Sequence, residues 1–205
     1  MTALPAFLQP SIRAEEQDIG GSAASTSSSA EVQNFAMTCQ EDDQWCWAAV
    51  TQAVALWRGE TLTQVEVASR HTSGRAEKGE CEVKDCKRGY TDTHSLGTVL
   101  KGRGLHRETT KGTPTFEEIQ AAINENRPVP VRIAWNGSTS GHFICVTGYV
   151  AGERVRVHDP MEPGVGNGPV QSKVIPFEDL VSNYQSQAGE SGHVNFYYQV
   201  PTWQS

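Results

Sequence analysis

No run of apolar residues in this 205-residue chain is long enough to cross a bilayer, so a membrane-spanning role is not expected. Basic clusters interleaved with aromatics are also missing. With 17 Lys and Arg against 24 Asp and Glu, the net charge of -7 repels phosphates and makes nucleic acid a poor partner. The N-terminus, MTALPAFLQPSIRAEEQDIGG, lacks the basic start and continuous apolar core of a secretory signal, which argues against the general export route. Cysteine is scarce and odd in number, five in all. A chain of this size can build its core without staples, so a disulfide framework is not required and at least one thiol should be free. No internal repeat is present, which excludes a solenoid.

What is there suits a soluble globular protein, with 37% hydrophobic and 20% charged residues. Residues 20–34, GGSAASTSSSAEVQN, are nearly all small or polar and bury too little to offset the entropy of ordering. Residues 1–34 therefore read as a flexible leader or linker, and 35–205 as one domain beginning near Phe35. From Cys46 to Trp57, CWAAVTQAVALW is rich in Ala and free of Gly and Pro, and it follows Asp42 and Asp43, either of which suits a helix cap. Further helices are predicted at 62–70, 94–102 and 115–126, the last opened by Thr115 and Glu118 at capping-box spacing. After Pro128 the runs VPVRIAW, HFICVTGYV, RVRVHDP and HVNFYYQV are β-branched or aromatic and are separated by turn residues, which predicts strands of one sheet. Helices first and strands second give an α+β class.

Cys46 falls in the first turn of its helix, where unpaired backbone N–H groups and the dipole favour a thiolate, the reactive form of cysteine. A cysteine among Ala and Trp is more often a packing residue. Six residues earlier stands Gln40, whose amide is placed to donate to an oxyanion developing beside the Cys46 N–H. A Gln, five intervening residues, a Cys and then Trp47 resembles the signature of the papain-like cysteine peptidases.

That resemblance implies a papain-like fold, in which a helical lobe carrying the nucleophile faces an antiparallel β-sheet lobe carrying His and Asp, with a cleft between them. It also implies a base at the start of a strand in the second half, where GHFICVTGYV supplies His142. If HFICVTGYV and RVRVHDP form a hairpin turning at 151–153, residue 142 lies opposite roughly 159–162. By period-2 alternation Val155, Val157 and Asp159 share one face and Arg154, Arg156 and His158 the other, which favours Asp159 as orienter and argues against His158 as base. The stretch from Pro128 through Pro160 is similar, more narrowly, to double-glycine leader peptidases and to papain-like effector or toxin proteases of bacteria, which use aspartate as third member. The resemblance runs from Gln40 to Pro160.

The function so implied is a cysteine endopeptidase: Cys46 attacks, His142 is its base, Asp159 orients His142, and Gln40 with the Cys46 N–H holds the oxyanion. Trp47, Trp135 and Gly141 are candidates for substrate contact, although indoles such as Trp45, Trp47 and Trp135 pack cores as readily as they line clefts. No metal or organic cofactor is needed. The expected partners are a protein or peptide substrate and, for an effector or toxin, a cognate immunity or inhibitor protein. The expected location is the cytoplasm or delivery by a signal-peptide-independent secretion system. Gly20 and Gly21 fit a self-processing site, but a Gly-Ser linker fits them better.

His71, Cys81, Cys86 and His94 have spacings that fit no compact zinc site, and a Cys81–Cys86 disulfide or two surface thiols suits them better. Cys39 and Cys145 read as packing residues, with Cys39 near enough to the nucleophile box in sequence for oxidative cross-linking to Cys46. Two other classes remain. A transglutaminase-like acyltransferase shares the Cys, His, Asp order, but Gln40 at this spacing argues against it. A non-catalytic peptide-binding module would not need all four positions filled by competent residues.

Overall fold

The computed structural model describes residues 29–42, 44–71, 95–162 and 169–202. Helix α1, Cys46–Trp57, forms where Ala-rich sequence without breakers allows it, and Cys46 through Ala55 are all buried. Its start is not capped as the sequence suggested. Trp45 occupies the cap position with no side-chain bond, and the turn is closed instead by the Trp45 N–H donating to the Asp42 carbonyl at 3.0 Å. Asp43 lies outside the described residues. Helix α2, Gln64–His71, is opened by Glu66 accepting from the Thr63 N–H at 2.8 Å, and α3 spans Ser95–Gly102. Helix α4, Phe116–Asn124, has the full Thr115/Glu118 capping box, and the short α5 runs Phe177–Ser182.

The strands β1 (Ala30–Glu31), β2 (Glu108–Lys111), β3 (Val129–Trp135), β4 (Gly141–Val150), β5 (Arg154–His158), β6 (Lys173–Pro176), β7 (Tyr184–Gln185) and β8 (Ser191–Gln199) make one antiparallel sheet. Its order is β2-β8-β3-β4-β5-β6, with β1 added to the far end of β4 and β7 to the near end of β8. The sheet thus takes in residues before Phe35: Ala30 and Glu31 pair with Tyr149 and Gly148, and Val32 is buried. Backbone hydrogen bonds need no apolar side chain, so a polar composition did not reveal this strand.

β4 is buried on both faces, and its sequence is mostly apolar, with His142 and Thr147 the polar exceptions. Phe143 and Cys145 join α1, α2 and α3 in one core, while Ile144 and Val146 join α4 and α5 in a second core on the opposite face. Helices therefore cover both sides of the sheet, a fuller arrangement than one helical lobe facing one sheet lobe. The class is α+β, with N-terminal helices and an antiparallel sheet. Among the described residues no helix is long and apolar enough to cross a membrane.

Candidate active site

The site forms where the N-terminus of α1 meets the first residues of β4. Cys46 opens the helix, is only 8% exposed, and its sulfur lies near enough to the imidazole of His142 to help raise the pKa of that ring. His142 is the second residue of β4, paired with Ile133 of β3, and is itself buried. Asp159 follows the last residue of β5 and is 1% exposed. The β4–β5 register sets Cys145 opposite His158, with a bulge between Val146 and Gly148. Continued along the strands, this register leaves Asp159 diagonal to His142 on the shared face, as alternation from Val157 and Ile144 requires. The side chains close the gap, and Nε2 of His142 donates to Oδ1 of Asp159 at 2.6 Å.

The electrostatics follow from that contact. Burial by itself opposes a charged imidazole, but the hydrogen bond to Asp159, its negative charge and then the Cys46 sulfur outweigh burial and raise the His142 pKa to about 10. Burial likewise works against the Asp159 carboxylate, yet the His142 bond and charge, the Tyr184 hydroxyl and the Met161 N–H together hold it below the usual carboxylate range. With Nε2 committed to Asp159, Nδ1 is the ring nitrogen left to face the thiol. The indole of Trp135 stacks on the imidazole, centroids 5.7 Å apart and planes 12° from parallel, which shields the pair from water.

Gln40 is held beside the site by two bonds. Its backbone N–H donates to the Pro160 carbonyl at 2.9 Å, joining the segment before α1 to the turn after Asp159. Its Nε2 donates to the Asp42 carbonyl at 3.0 Å, which uses one of the two amide protons and fixes the plane of the other.

The remaining expected contacts divide. Trp135 is at the site, but Trp47 has no exposed surface and packs in the α1 core, as does Trp45, so neither indole can touch a substrate from there. Gly141 adjoins His142, and the structure gives it a packing reason: a Cβ there would stand 2.4 Å from the Ile133 carbonyl and 2.6 Å from the Arg132 guanidinium. His158 is elsewhere, its Nδ1 3.0 Å from the Thr147 hydroxyl, and burial followed by the Arg156 charge pushes its pKa down to about 4. Among the described residues Cys39, Cys46 and Cys145 are not joined in disulfides; Cys39 Sγ donates to the Glu162 carbonyl at 3.3 Å. Burial pushes the Cys145 thiol well up, which makes it inert. Cys81, Cys86 and His94 lie outside the described residues.

One close neighbour has no signature in the sequence. Tyr184, on the two-residue β7, donates its hydroxyl to Oδ2 of Asp159 at 2.5 Å, while Met161 N–H donates to Oδ1 at 2.8 Å. A lone tyrosine after a short helix resembles any core aromatic, and only the pairing of β7 with β8 brings it under the carboxylate.

The peptidase domain of Streptococcus ComA, a bi-functional ABC transporter involved in a quorum sensing pathway, has the same fold, with a TM-score of 0.51 at 16% identity over 82% of this chain and 98% of that one. Weaker likenesses are to xylellain, a cysteine protease from Xylella fastidiosa, with a TM-score of 0.45 at 10% identity over 86% and 87% of the two chains. Another is to a double glycine motif protease from an AMS/PCAT transporter in complex with its leader peptide, with a TM-score of 0.42 at 15% identity over 84% and 99%. No curated protein matches the sequence. The Peptidase_C39 like family, however, matches residues 32–191, which take in Gln40, Cys46, His142 and Asp159. On that match, over more than half its length, the chain belongs to the Peptidase_C39 like family of papain-like cysteine peptidases.

Proposed function

We propose that the protein is a cysteine endopeptidase in which Cys46, His142 and Asp159 form the catalytic unit and Gln40 supplies an oxyanion donor. The observation that carries this reading is the buried line from Cys46 at a helix N-terminus, through the His142 ring, to the Asp159 carboxylate. His142 takes the thiol proton as the sulfur becomes a nucleophile. The Cys46 sulfur attacks a peptide carbonyl; the oxyanion accepts from the Cys46 N–H and the Gln40 amide; His142 protonates the departing amine; and water then releases the acyl group while His142 takes up its proton.

The substrate on this reading is an extended peptide segment. Cys46 at 8% exposure and His142 at 3% leave a narrow approach, which favours small residues beside the cut bond and supports cleavage at paired glycines. The finer role, an effector or toxin cutting a target protein, draws its support from the small, polar residues 20–34 that precede most of the fold. A small immunity gene beside the coding sequence would favour it, and an exporter gene would favour leader processing instead.

Incubation with a set of extended peptides, with and without Gly-Gly, followed by mass spectrometry tests the chemistry. Wild type should cut and Cys46→Ala should not, while both give the same circular dichroism spectrum and a cooperative melt. Cleavage retained by a folded Cys46→Ala variant would refute the reading, and transfer of the acyl group to an added amine in place of water would move it to the transglutaminase class.

A further inference from the structure

A carboxylate turns easily about its terminal bond, because that torsion has only broad, two-fold preferences. In the Asp159 carboxylate, Oδ1 already accepts from His142 Nε2 at 2.6 Å and from Met161 N–H at 2.8 Å. Its partner Oδ2 faces the 1% exposed Tyr184, whose hydroxyl reaches it at 2.5 Å. We propose that Tyr184 is a positioning residue of the catalytic unit, its hydroxyl locking the Asp159 carboxylate in the rotation that aims His142 at Cys46. The proposal rests on the Cys46–His142–Asp159 reading and extends it to a fourth residue.

The surroundings of Tyr184 support a donor role over mere packing. Lys173 of β6 places its ammonium 4.7 Å from the ring centroid, where a cation draws electron density from the phenol and strengthens the O–H as a donor. Lys173 is held there by Glu162 at 2.8 Å, and Glu162 also accepts from the Gln187 amide. Burial, and then the neighbouring Asp159 charge, push the phenol pKa upward, so the hydroxyl keeps its proton at every working pH. The charged groups around the contact are His142 from β4, Lys173 from β6 and Glu162 from the turn after β5, while Asp179 of α5 lines the small cavity beside the ring. Without the hydroxyl, Oδ2 becomes a buried acceptor with no proton, the carboxylate is harder to keep ionised, and its rotation is no longer set.

Tyr184→Phe removes the one proton and keeps the ring. The rate of Cys46 alkylation by iodoacetamide, read by mass spectrometry of the Cys46 peptide from about pH 2.5 to 9, reports the pair without needing a substrate; kcat and KM on a cleaved peptide complete the test. The variant should lose roughly tenfold in maximal alkylation rate and in kcat, the scale of a hydrogen bond to a charged group, with KM changed less than about twofold. Its acid limb should move to higher pH by about half a unit to one unit, because a carboxylate that loses a donor protonates sooner as pH falls. A folded Tyr184→Phe with wild-type rate and pH profile, whatever its melting temperature, overturns the proposal. If that variant does not fold, Lys173→Gln carries the test: a smaller shift of the acid limb in the same direction supports the role, and an unchanged profile overturns it. Failure of the parent reading looks different, since wild-type Cys46 would then be alkylated no faster than Cys39 at pH 6, and both ideas would fall together.

Discussion

At the scale of single residues, the site depends on which histidine can carry a proton beside Cys46. His142 is raised to about 10 by Asp159 and Cys46 against its burial, whereas His158 is lowered to about 4 by burial and Arg156 and stays neutral. His142→Ala should therefore match Cys46→Ala in loss of kcat/KM to within about tenfold, since residues acting as a unit are not additive, while His158→Ala keeps most activity. Equal collapse of both histidine variants in a peptide-cleavage assay would misplace the base. Gln40 allows a sharper separation. Gln40→Ala should lower kcat by roughly a hundredfold to a thousandfold with little change in KM, the effect of losing one oxyanion donor. Gln40→Glu should be at least as harmful, because the carboxylate faces both the oxyanion and the Asp42 carbonyl that now accepts from the amide. A merely structural Gln40 would show its losses in melting temperature and KM instead. The Gln-to-Cys spacing and the family resemblance pointed to Gln40, Cys46 and His142, and period-2 alternation pointed to Asp159, which the structure sets against the His142 ring. Tyr184 was not readable, because its partner is fixed by a two-residue strand whose pairing leaves no mark on composition.

At the scale of elements, readability followed how much of the pairing energy comes from side chains. β3 and β4 carry nearly continuous apolar stretches because both faces are buried, β5 and β8 alternate in part because one face is more open, and helices at 62–70, 94–102 and 115–126 appear with ends shifted by no more than two residues where described. β2, with sequence ETTK, and β6, with KVIP, are short pieces at the two edges of the sheet, held by backbone bonds that any residue can make. α4 offers a test confined to one element. Thr115 accepts from the Glu118 N–H at 3.2 Å and Glu118 accepts from the Thr115 N–H at 2.8 Å, so Thr115→Ala loses a reciprocal cap. The cost should be about 1 kcal/mol. In a protein of this size that is a fall of roughly 2 to 4 °C in melting temperature. Because α4 packs on the Ile144 and Val146 side of the sheet and makes no hydrogen bond to Cys46, His142 or Asp159, kcat should not change. A loss of kcat beyond about twofold at unchanged KM would mean that α4 helps to set the start of β4.

At the scale of the whole molecule, the site spans the junction of the two cores. Cys46 belongs to the core under α1, whereas Trp135 and Tyr184 belong to the core under α4 and α5, so Cys46 meets the His142–Asp159 pair only when both halves are docked on the sheet. The Gln40 N–H to Pro160 bond crosses the same junction. Global stability should then record the titration of the pair. A histidine whose pKa is raised on folding binds its proton more tightly in the folded chain. Its contribution is complete below the ordinary value of 6.5 and is lost as pH rises through about 10. Asp159, held below its ordinary 3.8, contributes fully above that value and loses its contribution as pH falls through the lower folded one. Both contributions are complete together between the two ordinary values. Working in a Cys46→Ala background removes proteolysis and the sulfur's share of the His142 shift, leaving Asp159 as the remaining cause of the raised pKa. Melting temperatures of Cys46→Ala and Cys46→Ala/Asp159→Asn, measured from pH 5 to pH 10, should then differ most between pH 5 and 6.5. The difference should shrink as pH climbs, because Asn neither attracts the imidazolium nor rewards its protonation. A difference that stays constant over that range would show that Asp159 holds His142 by geometry alone and leaves its charge unperturbed.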